Sequence, residues 1–486
     1  MTKVKTRFAP SPTGHLHVGN ARTALFSFLV ARQAGGTFLL RIEDTDRARH
    51  DESAVGRIVE SLRWLGIEWD EGLGVDGPNA PYRQSERLDI YNGHLRKLIE
   101  QGKAYYAFDT AEELDAMRRS AQDEKRNFCY PRPDPLPTEA DRKAALASGR
   151  PVVVRFLCPD GDVTIHDEAF GNVTWPAEQM DDFIIRKADG WPTYHFAVVM
   201  DDSLMGVNFI LRGQEFLGQT WRHVLLRRAL GFDEPRYCHL PLIMDMQGRK
   251  LSKRDGDVNV DAFRAAGYLP ETLVNFLALL GWRPGGNRER LTMAELIELF
   301  GTDRIGKANA KFDRDKLLAF NTDAIAAADP GRLMEAFKDY LSLNETDIPA
   351  DDDQLLRAVL DANKGARTLA DIPARCGVLF GPDDAYEFDA KAVKKVLAKA
   401  DGAGAQSLAD VRERLAEWQD WSDEALAKML EEYCAARQLS LGKVAQPLRV
   451  AVTGATVSPP IHQTLAILGK DRTLSRIERC LRENPA

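Results

Sequence analysis

The sequence predicts an α/β fold on a parallel sheet, split by an α+β insertion and followed by a mostly α-helical C-terminal part. Three observations carry this expectation. Strand and helix patterns alternate at the start of the chain, the alternation lapses after Tyr105 and resumes near Ile185, and beyond Asp261 the strand signal fades while helical spacing persists.

From Val4 to Ala9 the chain reads as a short strand, and Pro10-Ser11-Pro12-Thr13-Gly14 breaks it before a helical pattern that runs from about Val18 through Ala34. Strand, tight loop and helix together are the opening of a nucleotide-binding α/β unit. A second strand, Thr37 to Ile42, ends in Glu43-Asp44-Thr45-Asp46, and Ile58, Leu62 and Leu65 mark the helix that follows. Such alternation implies parallel pairing. After Tyr105 come a charged helix from Ala111 to Lys125 and the prolines 131, 133, 135 and 137. Val152 to Leu157 and Val163 to His166 then flank Pro159-Asp160-Gly161, which reads as a hairpin.

Residues 105–184 are therefore expected as an insertion between the two halves of the sheet domain, 1–104 and 185–260. The α/β pattern resumes with Phe183-Ile184-Ile185, Tyr194 to Met200, Val207 to Arg212, a helix from Leu217 to Leu230 and a strand from His239 to Met244. Farther on, Leu269, Leu273, Phe276, Leu277 and Leu280 share a helical face, and Thr292-x-x-Glu295 is a capping-box pattern ahead of Leu296 and Ile297. Asp329-Pro330-Gly331 marks an expected boundary between helical domains over 261–329 and 330–486. The second reads as helical except for Pro447 to Pro460, where Val450, Val452 and Val457 alternate around Gly454.

Composition bounds the function. At one domain per ~150 residues, 486 residues make roughly three units. A net charge of −8 excludes a polycation that holds any nucleic acid, so RNA binding would need local basic faces. Hydrophobic residues at 44% with charged residues at 28% exclude a disordered chain. The six cysteines stand singly with no C-x-x-C pair, which points to a reducing compartment and against a disulfide scaffold or a sequence-local zinc site. No stretch approaches 18 apolar residues, so the expectation is a cytoplasmic protein without a membrane anchor.

Two stretches carry chemistry. In Pro10-Ser11-Pro12-Thr13-Gly14-His15-Leu16-His17-Val18-Gly19-Asn20, a loop delivers the chain into a helix whose exposed N–H groups suit phosphate. His17 and Asn20 are placed there as donors, and Gly19 gives a nucleotide room to approach. A connection with surface histidines is the plainer alternative. In Gly248-Arg249-Lys250-Leu251-Ser252-Lys253-Arg254-Asp255-Gly256, glycines flank a cationic loop suited to a triphosphate, or else to a solvated turn.

Together these stretches resemble the HIGH and KMSKS signatures of class I aminoacyl-tRNA synthetases. Arg7-Phe8-Ala9, Arg41-Ile42-Glu43-Asp44-Thr45-Asp46, Pro81-Tyr82-Arg83-Gln84-Ser85, Pro192-Thr193-Tyr194, Gly267-Tyr268-Leu269-Pro270-Glu271, Lys311-Phe312-Asp313 and Pro447-Leu448-Arg449-Val450-Ala451 extend the likeness along essentially the whole chain, to the glutamyl-tRNA synthetases in their bacterial form. The resemblance implies a split Rossmann catalytic domain, an acceptor-end insertion, a stem-contact domain and an anticodon-binding domain. It implies ATP with Mg²⁺, L-glutamate and tRNA(Glu) as substrates, a glutamyl-adenylate intermediate, activation that requires bound tRNA, and a monomer.

By the same resemblance His17, Lys250 and Lys253 are catalytic. Arg7, Ser11, Glu43, Tyr194 and Arg212 bind glutamate, with Arg7 the candidate for its side-chain carboxylate. Pro10, Gly14, His17, Gly19, Asn20, Glu215, Lys250, Leu251, Ser252, Lys253 and Arg254 meet ATP. Whether tRNA(Gln) is also charged depends on a few anticodon contacts. The sequence departs from the family in three places: Gln214 stands where an acid is common, Trp221-Arg222 replaces a Thr-Pro-Arg-like run, and Tyr105-Tyr106-Ala107-Phe108-Asp109 lacks the C-x-C of zinc-bearing members, so no structural zinc is expected. Basic clusters at Arg222-His223 with Arg227-Arg228, at Lys307, Lys311, Arg314 and Lys316, and at Lys470, Arg472, Arg476, Arg479 and Arg482 are candidate phosphate-tracking faces. Three alternatives stand beside this reading: a shorter paralogue that glutamylates a tRNA base, which has no anticodon part; a small-molecule adenylate-forming ligase, which needs no helical tail; and an RNA-binding paralogue with a dead site, which needs neither His17 nor the lysines.

Overall fold

Ten strands appear in the computed structural model, which describes residues 3–46, 51–251 and 258–484, without the side chains of 399–401. In chain order they are β1 (Lys5–Phe8), β2 (Thr37–Leu40), β3 (Glu71–Gly72), β4 (Ala104–Ala107), β5 (Val153–Phe156), β6 (Val163–Asp167), β7 (Gly171–Trp175), β8 (Phe183–Arg186), β9 (Phe209–Gly213) and β10 (Arg236–Leu240); a short pairing of Ile243–Met244 with Ala310–Lys311 adds to them. All lie in the first of two compact units, residues up to 261 with 273–313; the second comprises 262–272 and the chain from 314 onward.

The parallel sheet starts from β1, whose register with β2 runs from Lys5 opposite Thr37 to Phe8 opposite Leu40, and β2 pairs in turn with β3. On its other side β1 meets the approach to β9: Asn208 N–H donates to Lys5 O at 3.1 Å and Lys5 N–H to Asn208 Oδ1 at 2.8 Å. β9 pairs in parallel with β10, and β10 with β6. The chain thus winds outward in both directions from the β1/β9 junction. A crevice at the carboxyl ends of strands is a geometric consequence of that reversal. One helix, α1 (Val18–Gln33), packs on β1, β2 and β9 and buries Val18, Ala21, Ala24, Leu25, Phe26, Phe28 and Leu29 among others. Its apolar residues surround it instead of forming a stripe, as a helix enclosed by its own domain requires.

The hairpin expected around Pro159-Asp160-Gly161 does not form. β5 pairs antiparallel with β4 and β8, whereas β6 pairs antiparallel with β7 and joins the parallel sheet through β10. The segment 157–162 is a link between two sheets. Two acids decide this: Asp182 Oδ1 accepts Cys158 N–H at 2.7 Å and ends the first sheet, while Asp167 Oδ1 accepts Ala169 and Phe170 N–H at 3.0 and 2.9 Å and closes the turn from β6 to β7. Tyr194 to Met200 lies in a helix, Tyr194–Leu204, and the helix expected from Leu217 begins at Thr220 after a tighter turn over Gln214–Gln219.

The second unit is helical throughout its larger part, around a core that includes Phe337, Leu356, Leu408, Val411, Leu426, Leu448 and Ile477. The non-helical stretch expected at Pro447 to Pro460 is corrected in its first half. The helix Leu441–Thr453 runs through Pro447. Val450, Ala451, Val452 and Thr453 are all buried, so the alternation of valines reflects the enclosed last turn of a helix, and burial outweighs the one backbone bond that proline forfeits. The chain turns at Gly454, φ 75°, where a Cβ would collide with Glu387 O.

The basic cluster at the C-terminus is also corrected. Arg476 is fully buried, donating to Asp383 Oδ1 at 2.6 Å and Val452 O at 2.7 Å; Arg472 donates to Asp383 Oδ1 and Leu379 O, and Arg479 to Asp383 O and Tyr386 O. These cations hold the 379–386 segment and are not a free phosphate-tracking face. The same holds for Arg227, buried and donating to Asp233 O at 3.1 Å, and for Arg228, paired with Glu234.

Candidate active site

Where β1 and β9 end, a cavity of about 890 Å³ opens in the first unit. It is lined by Arg7, Pro10, Ser11, His17, Gly19, Asn20, Glu43, Tyr194, Arg212, Glu215, Lys250 and Leu251. Of the site residues expected from sequence and described, Gly14 alone is absent from the lining. Ser252, Lys253 and Arg254 lie outside the described residues.

His17 caps α1. Its Nδ1 accepts the Gly19 N–H at 3.0 Å, so in the neutral ring Nε2 carries the proton. Burial and then nearby Lys250 hold its pKa below the ordinary histidine value. The ring is therefore a neutral donor at pH 7. The second signature stretch returns to the first just beyond it: Val18 N–H donates to Val258 O and Val260 N–H to Leu16 O, both at 2.9 Å.

One wall is a buried network of charges. Arg41, wholly buried, donates to Glu43 Oε1 at 3.1 Å and pairs with Asp202 Oδ1 at 2.9 Å and Asp201 Oδ2 at 3.7 Å. Arg7 Nε donates to Asp202 Oδ1 at 3.2 Å and its Nη1 to Leu211 O at 3.3 Å. Asp201 also accepts from Arg87 Nε at 2.7 Å and from Gln84 Nε2 and Tyr91 Oη at 2.8 Å. Three guanidinium groups thus meet three carboxylates. Burial would raise the Asp202 pKa, but Arg7 and Arg41 outweigh it and hold it at about 2. For Glu43 burial dominates the pull of Arg41 and Arg7, and its pKa lies above the ordinary carboxylate value, so an arriving cation would be welcomed.

The opposite wall is built differently. Arg212, on β9, donates Nη2 to Thr220 Oγ1 at 2.8 Å, Nη1 to His223 Nδ1 at 3.0 Å and Nε to His239 Nε2 at 3.1 Å. It lies between the rings of Phe216 and Tyr237, 5.6 and 5.9 Å from their centroids. Tyr194, the first residue of its helix, is held protonated by burial, which lifts its pKa to about 12. Glu215 folds its carboxylate against Gly213, where any Cβ would collide with it. Gln214, the neutral residue at a family acid position, donates to Asn309 Oδ1 at 3.1 Å.

Sequence reasoning missed Asp201, Asp202, Arg87, His223, His239 and Asp167, which hold the expected residues in place, and Lys187, Arg22 and Asp44, which also line the cavity. One signal was available: an Asp-Asp pair closing the apolar run Phe196 to Met200 has to be buried with partners.

Residues 3–319 match the family described as tRNA synthetases class I (E and Q), catalytic domain, and residues 332–481 match the anticodon binding domain family. The chain is 41% identical to a glutamate–tRNA ligase of Anaeromyxobacter sp. (strain Fw109-5), covering 99% of both chains. The chain belongs to the class I glutamate–tRNA ligases. Another member, glutamate–tRNA ligase 1 of Alkalilimnicola ehrlichii, is 42% identical over 99% of this chain and 98% of its own. Among solved structures, a glutamate tRNA ligase from Elizabethkingia meningosepticum in complex with its amino acid is similar with a TM-score of 0.83 at 35% identity, covering 99% of this chain and 100% of that one. Class I synthetases of this family use ATP, and no helix among the described residues is long and apolar enough to cross a membrane. No group of three or more metal-ligating side chains is found among the described residues.

Proposed function

We propose that this chain joins L-glutamate to the 3′-terminal adenosine of tRNA(Glu) at the expense of ATP. The observation that carries the reading is the presence, around one cavity, of two buried arginines and a buried glutamate together with His17 and Lys250. Glutamate brings two carboxylates and an ammonium, and those three groups answer to Arg7, Arg212 and Glu43, with Ser11 and Tyr194 as neutral donors.

An oxygen of the glutamate α-carboxylate attacks the α-phosphorus of ATP, which enters as its Mg²⁺ complex. The bond to the bridging oxygen breaks, and pyrophosphate leaves with its electron pair. His17 Nε2–H donates to the phosphate oxygens as charge builds there, while Lys250 and Lys253 meet the departing pyrophosphate; the remaining ATP contacts fall to Pro10, Gly14, Gly19, Asn20, Glu215, Leu251, Ser252 and Arg254. No side-chain nucleophile takes part, because the substrate supplies its own. In the second step the ribose 2′-hydroxyl oxygen bonds to the acyl carbon, the bond from that carbon to the phosphate oxygen breaks, and AMP departs with the electron pair while the hydroxyl proton passes to its phosphate. Catalysis is positioning and charge stabilisation. In this reading the insertion 105–184 receives the acceptor end, 261–329 the stem and 330–486 the anticodon, the enzyme is a cytoplasmic monomer, and tRNA(Gln) is a second substrate to be tried.

The test is transfer of labelled glutamate to total tRNA by the parent and by K253A. Charging by the parent and a loss of at least about a hundredfold in the variant is expected. No glutamylation by the parent, or better charging with another amino acid, overturns the assignment.

A further inference from the structure

Arg7 and Arg212, the two arginines assigned to the substrate, differ in how their charge is compensated. Arg7 donates directly to the carboxylate of Asp202 at 3.2 Å, as Arg41 and Arg87 do to their own acids. Among the described residues Arg212 has three hydrogen-bond partners, each uncharged: a hydroxyl at 2.8 Å and two imidazole nitrogens at 3.0 and 3.1 Å. All three partners are buried, Thr220 and His239 completely and His223 to within 3%.

Donor and acceptor roles can be assigned around this ring because arginine only donates. His223 Nδ1 must accept from Arg212, so Nε2 carries the proton and points it at His195 Nδ1, 3.0 Å away. His239 Nε2 must accept from Arg212, so Nδ1 carries the proton and donates to Asp167 Oδ2 at 2.6 Å. Thr220 Oγ1 accepts from Arg212 and sends its own proton to Phe216 O at 3.0 Å. Asp167 reaches Arg212 only through the His239 ring, and it is already occupied by the N–H groups of Ala169, Phe170 and His239. Burial and then Arg212 itself disfavour a charge on His223, which agrees with its neutral form.

We propose that Thr220, His223 and His239 are positioning residues that fix the Arg212 fork with neutral acceptors, so that its full charge is reserved for a carboxylate of the amino acid substrate. A carboxylate in any of the three places would hold the fork as firmly but would neutralise it before glutamate arrived. The ring therefore sets the affinity for glutamate without touching it. This inference rests on the assignment of glutamate as substrate.

Asparagine and aspartate have the same shape and differ in charge, so they separate charge from positioning. In H223N the side-chain oxygen can still accept from Nη1; in H223D it accepts and neutralises. The expected result is a KM for glutamate at least about thirtyfold higher in H223D than in H223N, with the KM for ATP alike within about threefold. H223N itself should raise the glutamate KM by a few-fold only. Should H223D fail to fold, T220D against T220N makes the same comparison at the first residue of a helix, where an acid is favoured by the dipole. Equal glutamate KM values within the pairs, or a parallel rise for ATP, overturn the proposal. Glutamate-dependent thermal stabilisation of the RNA-free protein gives the same comparison without catalysis. The parent's charging activity tests the substrate assignment, and the aspartate-to-asparagine ratio tests the ring.

Discussion

His17 holds two jobs on two ring nitrogens, and substitution can part them. Nδ1 accepts the Gly19 N–H at 3.0 Å as the cap of α1, and Nε2–H is left for phosphate. Asparagine, among the best capping residues, can place its oxygen near the position of Nδ1 but has nothing at Nε2. H17N should keep the stability of the parent, whereas H17A should lose about 1 kcal/mol with the cap, read as a fall in Tm of about 2–4 °C. Both should lose the donor. If that donor works mainly as charge builds on the phosphate, the cost is about 3–4 kcal/mol of transition-state stabilisation, or 10²- to 10³-fold in kcat, with little change in the KM for ATP. Single-turnover charging with saturating tRNA and thermal unfolding of the same preparations measure the two effects. Charging by H17N within tenfold of the parent would show that no phosphate leans on Nε2, and equal destabilisation of both variants would remove the capping argument.

Asp201 anchors the buried network, so D201A should cost about 3–5 kcal/mol in chemical denaturation by leaving Arg87 and Arg41 short of an anion; a loss under 1 kcal/mol would show the network to be dispensable. His195 is held at about 4 by burial and then by Arg222 and Arg212, against 6.5 in the unfolded chain. The unfolded state binds the proton first, so stability is whole above pH 6.5 and is lost as pH falls through 4. H195N should flatten that slope in urea titrations. Gly454 has φ 75° and no room for a Cβ, so G454A should lower stability by at least about 2 kcal/mol, and a neutral result would mean that the turn can move. Glutamine in place of glutamate should be activated at least about a thousandfold less well in kcat/KM, and acceptance within tenfold would contradict the pairing of a buried arginine with the side-chain carboxylate.

The sequence was most legible where local chemistry and fold agree. The loop 10–14 breaks a strand and opens a helix through proline and glycine, and the helix Val18–Gln33 was placed to within one residue of its end. It misled where burial removes the usual contrast. Val450 and Val452 alternate like a strand because the last turn of their helix is buried all round, and Pro159-Asp160-Gly161 looks like a turn because nothing in it tells that β5 and β6 belong to different sheets. The residues lining the cavity could be named from their motifs, but their partners could not. Asp167 and His239 are 72 positions apart, and Arg87 and Asp201 are separated by 114; such pairs exist only after the sheet has assembled.

The charge balance across the cavity explains why its two walls are built unlike each other. Arg7, Arg41 and Arg87 contact Asp201, Asp202 and Glu43, so the formal charges of that wall balance, and Glu43, whose pKa burial holds above the ordinary carboxylate value, gains from an arriving ammonium. Among the described residues Arg212 has no carboxylate in contact; its hydrogen bonds are made but its charge is balanced only when a carboxylate arrives. Glutamate carries a net charge of −1 and leaves no uncompensated group. Glutamine is neutral and leaves the arginine that faces its side chain, for which Arg7 is the candidate, opposite an amide, and breaking a buried pair in this way costs about 3–5 kcal/mol. The charge that Thr220, His223 and His239 leave on Arg212 thus sets the affinity for a carboxylate, while the charge-balanced wall supplies the geometry in which Arg7 and Glu43 meet the rest of the substrate.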